Sequence, residues 1–147
     1  MASAYTKILV PVDGSENSFK ALSHAITLAR KLEAEIGILY VTVLMQQMPI
    51  AAQLNGVYVP EVVYAHLDEF GRNVVEKARA QVPADIKVET FCEIGSPATV
   101  IPEFAEENGY DMIVIGSRGL GVIKGLVMGS VSTYVIHHAH CPVLVVR

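Results

Sequence analysis

Met112-Ile113-Val114-Ile115-Gly116-Ser117-Arg118-Gly119 is a short apolar run that breaks on glycine, and nine residues later Gly129-Ser130 opens a helical stretch. A run this uniformly apolar and β-branched has no wet face, which places it inside a parallel sheet covered on both sides. The glycine-bearing loop and the helix start that follow it are what a β-α unit needs next. The same grammar repeats in both directions from this point.

Towards the N-terminus, Tyr5 to Val12 reads as a strand ending in Pro11-Val12-Asp13-Gly14-Ser15, where Ser15 or Asp13 can cap a helix. Phe19, Leu22, Ile26, Ala29 and Leu32 then recur every three or four residues, an amphipathic helix with one buried face. Ile36 to Val43 is a second strand and Met45 to Val57 a loop. Pro60 suits the first turn of a helix whose stripe is Val63, Leu67, Phe70, Val74 and Ala78, closed by Pro83. Ile86 to Ile94 is a third strand. Ser96-Pro97 opens a helix through Ile101, Phe104 and Ala105 that Asn108-Gly109 ends. Beyond the opening stretch, a helix runs from Ser130 to Ala139 and a last strand from Pro142 to Val146. The order β-α-β-α-β-α-β-α-β predicts right-handed crossovers and a mainly parallel sheet with helices on both faces. Such sheets bind ligands outside the carboxyl ends of their strands, where strand order reverses. The turns at Val12 to Ser15, Val41 to Val43 and Gly116 to Gly119 are therefore the places to look.

Composition narrows the function. The chain has 147 residues, the size of a single domain spanning 1–147, and 52% are apolar against 18% charged, which excludes a disordered chain. A net charge of -4 argues against non-specific nucleic-acid binding, which needs a basic face to displace counterions. Cys92 and Cys141 have no paired spacing, so neither a disulfide framework nor a zinc knuckle is written here, and a reducing cytoplasm is expected. The uncharged stretch from Ile36 to Pro60 is long enough to span a bilayer, but Gln46, Gln47, Pro49, Gln53, Asn55 and Gly56 break its second half. No membrane insertion is expected.

Charge is distributed unevenly along the chain. Residues 112–147 hold no Asp or Glu and carry +3, leaving 1–111 at -7. Within that acid-free quarter, glycines let backbone amides approach an oxyanion, and a helix N-terminus adds unpaired donors and a dipole worth about 0.3–1 kcal/mol when exposed. The segment suits a phosphate chain. Lys124-Gly125 stands in the wrong order for a Walker A loop, and Val12-Asp13-Gly14-Ser15 lacks the three spaced glycines of a dinucleotide fingerprint.

These residues carry a resemblance. Ile8 through Ser15, Gly95-Ser96-Pro97, Asp111 through Gly119, Gly129-Ser130-Val131-Ser132 and Cys141 through Val146 together resemble the universal stress protein family over nearly the whole chain. The spacing from Gly116 to Ser130 matches the pattern G-x2-G-x9-G-[S/T] of the family's ATP-binding branch. The resemblance implies a three-layer α/β/α fold with a five-stranded, mainly parallel sheet, Rossmann-like and of the adenine-nucleotide alpha-hydrolase-like type. It further implies a homodimer, ATP or AMP bound between the first and fourth strands with Mg²⁺, and a cytoplasmic role in stress response.

Carried over by position, Pro11, Val12 and Asp13 would lie near adenine and ribose, with Val41 closing on the base through its backbone. Gly116, Arg118, Gly119, Gly129, Ser130, Val131 and Ser132 would hold ribose and phosphates. Asp13 is chemically an acceptor for ribose hydroxyls or for the adenine amine, and it is equally a helix-capping carboxylate. Ser130 is a candidate phosphate or Mg²⁺ ligand.

The leading reading is thus a nucleotide-binding regulatory module that acts on an unknown protein partner. A slow ATP hydrolase or self-phosphorylating enzyme is the alternative, although the acid-free segment supplies no general base close in sequence. An ATP pyrophosphatase-type enzyme would need a Ser-Gly-Gly-x-Asp-Ser loop, of which Asp13-Gly14-Ser15-Glu16-Asn17-Ser18 keeps little. A nucleotide-free interaction subunit is the third class. His137, His138, His140 and Cys141 invite a metal reading, but their place at a helix C-terminus, where the dipole favours cations, accounts for them. His24 and His66 read as solvated and Cys92 as an inert core thiol. Pro142 to Val146, uncharged and terminal, is expected to pair with its twin in the dimer.

Overall fold

The computed structural model describes residues 4–43, 61–119 and 128–147, with the side chains of 61–65 left aside. The expected loop from Met45 to Val57, Pro60, Lys124 and Gly125 lie outside the described residues. Strand β1 (Lys7–Pro11) is followed by α1 (Glu16–Leu32), β2 (Glu35–Thr42), α2 (Glu61–Ala80) and β3 (Val88–Ile94). Helix α3 (Pro97–Glu107), β4 (Met112–Gly116), α4 (Ser130–His138) and β5 (Val143–Val146) complete the order. The five strands form one sheet in the order β3-β2-β1-β4-β5, with every neighbouring pair parallel.

Burial follows that order. Ile36 through Thr42 in β2 are all buried, as the unbroken apolar run requires of a strand flanked on both sides. One face of the sheet packs against α1 and α2 through Ala21, Leu22, Ala25, Val74 and Ala78. The other packs against α3 and α4 through Ile101, Phe104, Ala105 and Val135. The three-layer expectation therefore holds in element order, direction and layering.

Two local expectations are corrected. Phe70 does not belong to the buried stripe of α2, being 43% exposed. Gly71 takes the inward position instead, because a Cβ there would lie 2.7 Å from the Tyr40 ring, and Phe70 meets that ring edge-on from the margin at 5.9 Å. Cys92 is exposed rather than a core thiol, because β3 is the edge strand of the sheet among the described residues. Burial against α2 and the charge of Asp68 nevertheless push its thiol pKa up.

Helix termini follow local chemistry. Ser15 caps α1, its hydroxyl accepting from the Ser18 amide at 3.2 Å. Ser96 occupies the cap position of α3 without a side-chain capping bond, and Pro97 supplies the first helical residue. At the end of α4, His138 is engaged with its own helix: Nδ1 lies 2.9 Å from the Tyr134 carbonyl, and the ring stacks on Tyr134.

Candidate functional site

After β1 the chain crosses to β2 on one side, while β4 lies on the other, so the sheet order reverses between β1 and β4. In sheets of this kind, a ligand crevice forms at the carboxyl ends of such a pair of strands. Pro11 and Val12 are buried at this switch point, where the Val12 amide donates to the Leu39 carbonyl at 2.9 Å. Strand β2 continues past Leu39, the partner of Pro11, and so carries Val41 beyond the end of β1. Gly14, at φ +92°, turns the chain where other residues would be strained. Asp13 Oδ1 accepts from the Ser15 amide at 2.9 Å, so the carboxylate shapes this turn while Ser15, not Asp13, caps the helix.

The opposite wall begins at Gly116. A Cβ on Gly116 would sit 2.5 Å from Asn17 Oδ1, and a Cβ on Gly119 would collide with Asp13 Oδ2. Gly116 is held to glycine by the Asn17 main-chain carbonyl, 3.0 Å from where a Cβ would stand, whereas at Gly119 the neighbour is the end of the Asp13 side chain, which can turn aside. Gly129 is different: a Cβ there would find its nearest neighbour, the Ser117 carbonyl, at 3.4 Å, an ordinary contact. Its glycine identity is not forced by packing.

Asn17 and Ser117, which spacing did not single out, join the two walls. Asn17 Nδ2 donates to the Val146 carbonyl at 3.1 Å, while its Oδ1 accepts from the Arg118 amide at 2.8 Å. The Ser117 amide donates to the same Val146 carbonyl at 2.7 Å, and the Ser117 carbonyl accepts from the Gly129 amide and from Ser132 Oγ. Nothing in the sequence marks Asn17 beyond its place in the first turn of α1. Ser117 is signalled only by standing between Gly116 and Arg118.

These bonds decide which groups are already committed within the protein. The Arg118 amide is committed to Asn17, and the Ser132 hydroxyl, 1% exposed, is committed to the Ser117 and Gly129 carbonyls. Val131 packs its side chain into the apolar cluster that also holds Val41. Ser130 is exposed at the start of α4, whose first turn carries no acidic side chain. The first amides of a helix have no intrahelical partner, so the Ser130, Val131 and Ser132 amides form an electropositive end. Asp13 supplies the opposite charge on the facing wall. Its field reaches β2, where burial first and Asp13 second push the Tyr40 phenol pKa up.

A doubly wound parallel sheet with a carboxylate turn, a close-packed glycine loop and a bare helix N-terminus at its switch point defines an α/β protein of the Rossmann-like class. The chain belongs to the universal stress protein family, whose model matches residues 4–147. It is 37% identical to universal stress protein YxiE of Bacillus subtilis over 149 residues, covering 97% of this chain and 99% of that one. It is 35% identical to universal stress protein MJ0531 of Methanocaldococcus jannaschii over 144 residues, covering 97% and 82%. Among solved structures, the hypothetical protein MJ0577 superposes with a TM-score of 0.81 at 30% identity, over 97% of this chain and 95% of that one. A universal stress protein in complex with cAMP superposes at 0.64 with 27% identity, over 99% and 98%.

Proposed function

We propose that this protein binds an adenine nucleotide, ATP or AMP, in the crevice between β1 and β4 and acts as a nucleotide-dependent regulatory module in the cytoplasm. The observation that carries the proposal is the contact between Gly119 and the Asp13 carboxylate, which sets a ribose-type acceptor beside a glycine loop and the bare start of α4. In this reading Asp13 receives ribose hydroxyls, Pro11, Val12 and Val41 border the base, and Gly119 with the Ser130, Val131 and Ser132 amides receives phosphates. In the same reading the Ser130 hydroxyl joins a phosphate or its Mg²⁺. A neighbour of the same fold solved with cAMP supports an adenine-bearing ligand. Asp13 is held by the Ser15 amide, which favours holding a nucleotide over activating water at its phosphates.

Two copies are further proposed to join through β5. This strand lies at a sheet edge, is uncharged from Val143 to Val146, and leaves Leu144 40% exposed. Sedimentation is expected to give a dimer at micromolar concentration.

Titration of the nucleotide-free protein with Mg·ATP, AMP and adenosine tests the binding reading. Saturable binding of all three is expected. Gly119→Glu sets a carboxylate against Asp13 and the phosphate positions, and is expected to weaken ATP by at least ~100-fold, or about 2.7 kcal/mol, while the cooperative thermal transition persists. Absence of binding by the unaltered protein would overturn the reading, and unchanged affinity in a folded Gly119→Glu variant would remove Gly119 from the site.

A further inference from the structure

The β3 edge of the sheet bears a groove unrelated to the crevice. It has a volume of about 470 Å³ and runs between β3 and α3. Its floor is apolar: Phe91 from the strand and Phe104 from the helix lie with ring centroids 4.9 Å apart, and Val100 extends the floor. Its rim is acidic, formed by Glu93 on the strand and by Glu103 and Glu107 one turn apart on the helix. Among the described residues no cation lies within ion-pair distance of any of these three carboxylates. Like charges at i and i+4 on a helix repel, so the pair is retained against a local cost.

Among the described residues no strand pairs with the backbone beside the groove. The Ile36 amide donates to the Lys87 carbonyl, and the Gly95 amide donates to the Thr42 carbonyl. With the parallel register between β2 and β3, these two bonds fix which residues of β3 turn their peptide groups towards β2. They are 89, 91 and 93. Val88, Thr90, Cys92 and Ile94 therefore direct N–H and C=O groups outward, along an edge where no strand of the described residues pairs.

We propose that β3 and the β3–α3 groove receive an extended basic segment of another protein, which adds a sixth strand to the sheet. Side-chain alternation sets its pattern. On the α3 side β3 presents Glu89, Phe91 and Glu93 in turn, so the complementary strand carries an apolar residue opposite Phe91 and Lys or Arg two positions away on either side. A long cation opposite Glu93 also reaches the Glu103 and Glu107 rim. The charge pattern weighs against a second copy as occupant: in the antiparallel register that pairs Val88–Ile94 with itself, Glu89 faces Glu93 twice, and like charges directly opposite are unfavourable. Among the described residues the only cation within ion-pair distance of either is Lys87, 3.8 Å from Glu89. β5, at the other edge, has no such charges.

The test uses the full chain and three capped, fluorescently labelled peptides. The first is Thr-Lys-Thr-Leu-Thr-Lys-Thr, the second carries Glu for both Lys, and the third has the first sequence with its alternate backbone amides N-methylated. Anisotropy titration is expected to show saturable, salt-sensitive binding of the first peptide alone. Glu93→Lys and the pair Glu103→Lys with Glu107→Lys are each expected to weaken it at least tenfold, with nucleotide affinity and melting temperature unchanged. Equal binding of the acidic peptide, or indifference to the charge reversals, would overturn the electrostatic match. Equal binding of the N-methylated peptide would overturn strand addition. Self-association through β3 that competes with the peptide would assign the edge to a second copy instead and overturn the proposal.

Discussion

The two ends of the sheet are built from the same strands by opposite means. At the amino ends, polar groups satisfy one another: Asp111 accepts from the Thr6 and Lys7 amides and the Thr6 hydroxyl, and Glu35 lies within ion-pair distance of both Lys7 and Lys87. Even the groove of about 760 Å³ at this end is lined in part by paired groups, Arg30 with Asp85 and Glu35 with Lys87. At the carboxyl ends, charge is sparse and backbone is bare: glycines pressed against side chains, an unadorned helix start, and Asp13 facing them. Exposed ion pairs add little stability, so the difference lies less in strength than in availability. The amino end closes the fold, and the carboxyl end keeps donors for something else.

The sharpest way to break this division is to damage the amino end and ask whether the crevice notices. Gly37 in β2 is occupied from the side by Tyr110, whose hydroxyl and ring stand where a Cβ would go. Gly37→Ala is expected to cost about 3 kcal/mol of stability by overpacking, read from urea unfolding midpoints, while the folded fraction binds nucleotide as before. Combining it with Tyr110→Leu should recover part of that cost, since residues in contact are not additive. An equal cost in the presence of Tyr110→Leu would show that the ring contact is not the cause.

A smaller effect is expected at the other end, and of the opposite kind. Asn17→Ala removes the bond that holds the Arg118 amide and the bond to the Val146 carbonyl, two contacts that order the loop after β4. Affinity for ATP and AMP is expected to fall about tenfold, near 1.4 kcal/mol, with adenosine little affected because in the proposed binding mode the loop faces phosphates. Calorimetric titration of the three ligands separates this outcome from general destabilisation, which would weaken adenosine equally.

Why one of these residues was legible in the sequence and the other was not is a matter of range. The strands and helices follow from periodicity, a local property, and β2 could be read as central from its apolar run alone. Gly116, Gly119 and the Gly129-Ser130 pair were visible because glycine spacing is also local. Asn17 was not, because its role depends on Val146 and Arg118, each more than a hundred residues away. The same limit explains Phe70 and Cys92. A helical stripe does not say that Gly71 allows closer approach to Tyr40, and an apolar strand does not say on which edge of the sheet it will lie.

The smallest expected effect tests whether the amino end is as closed as its bonds suggest. Burial first, then the charges of Glu89 and Glu35, push the Tyr110 phenol pKa up to about 12. An unfolded tyrosine titrates near ~10, so the native state holds the neutral phenol more tightly than the unfolded chain does. The stability this provides is complete below pH 10 and is lost as pH rises from about 10 to 12. Tyr110→Phe has no phenol to ionise, so its urea midpoint should decline less steeply than that of the unaltered chain between pH 9 and 11.5. Lysine titration is common to both proteins and cancels in the difference, and Tyr40, whose pKa is also raised, accounts for a residual slope. Parallel declines would mean that water reaches the Tyr110 hydroxyl in the native state, and the amino end would then be as open to solvent as the crevice at the other end of the same strands.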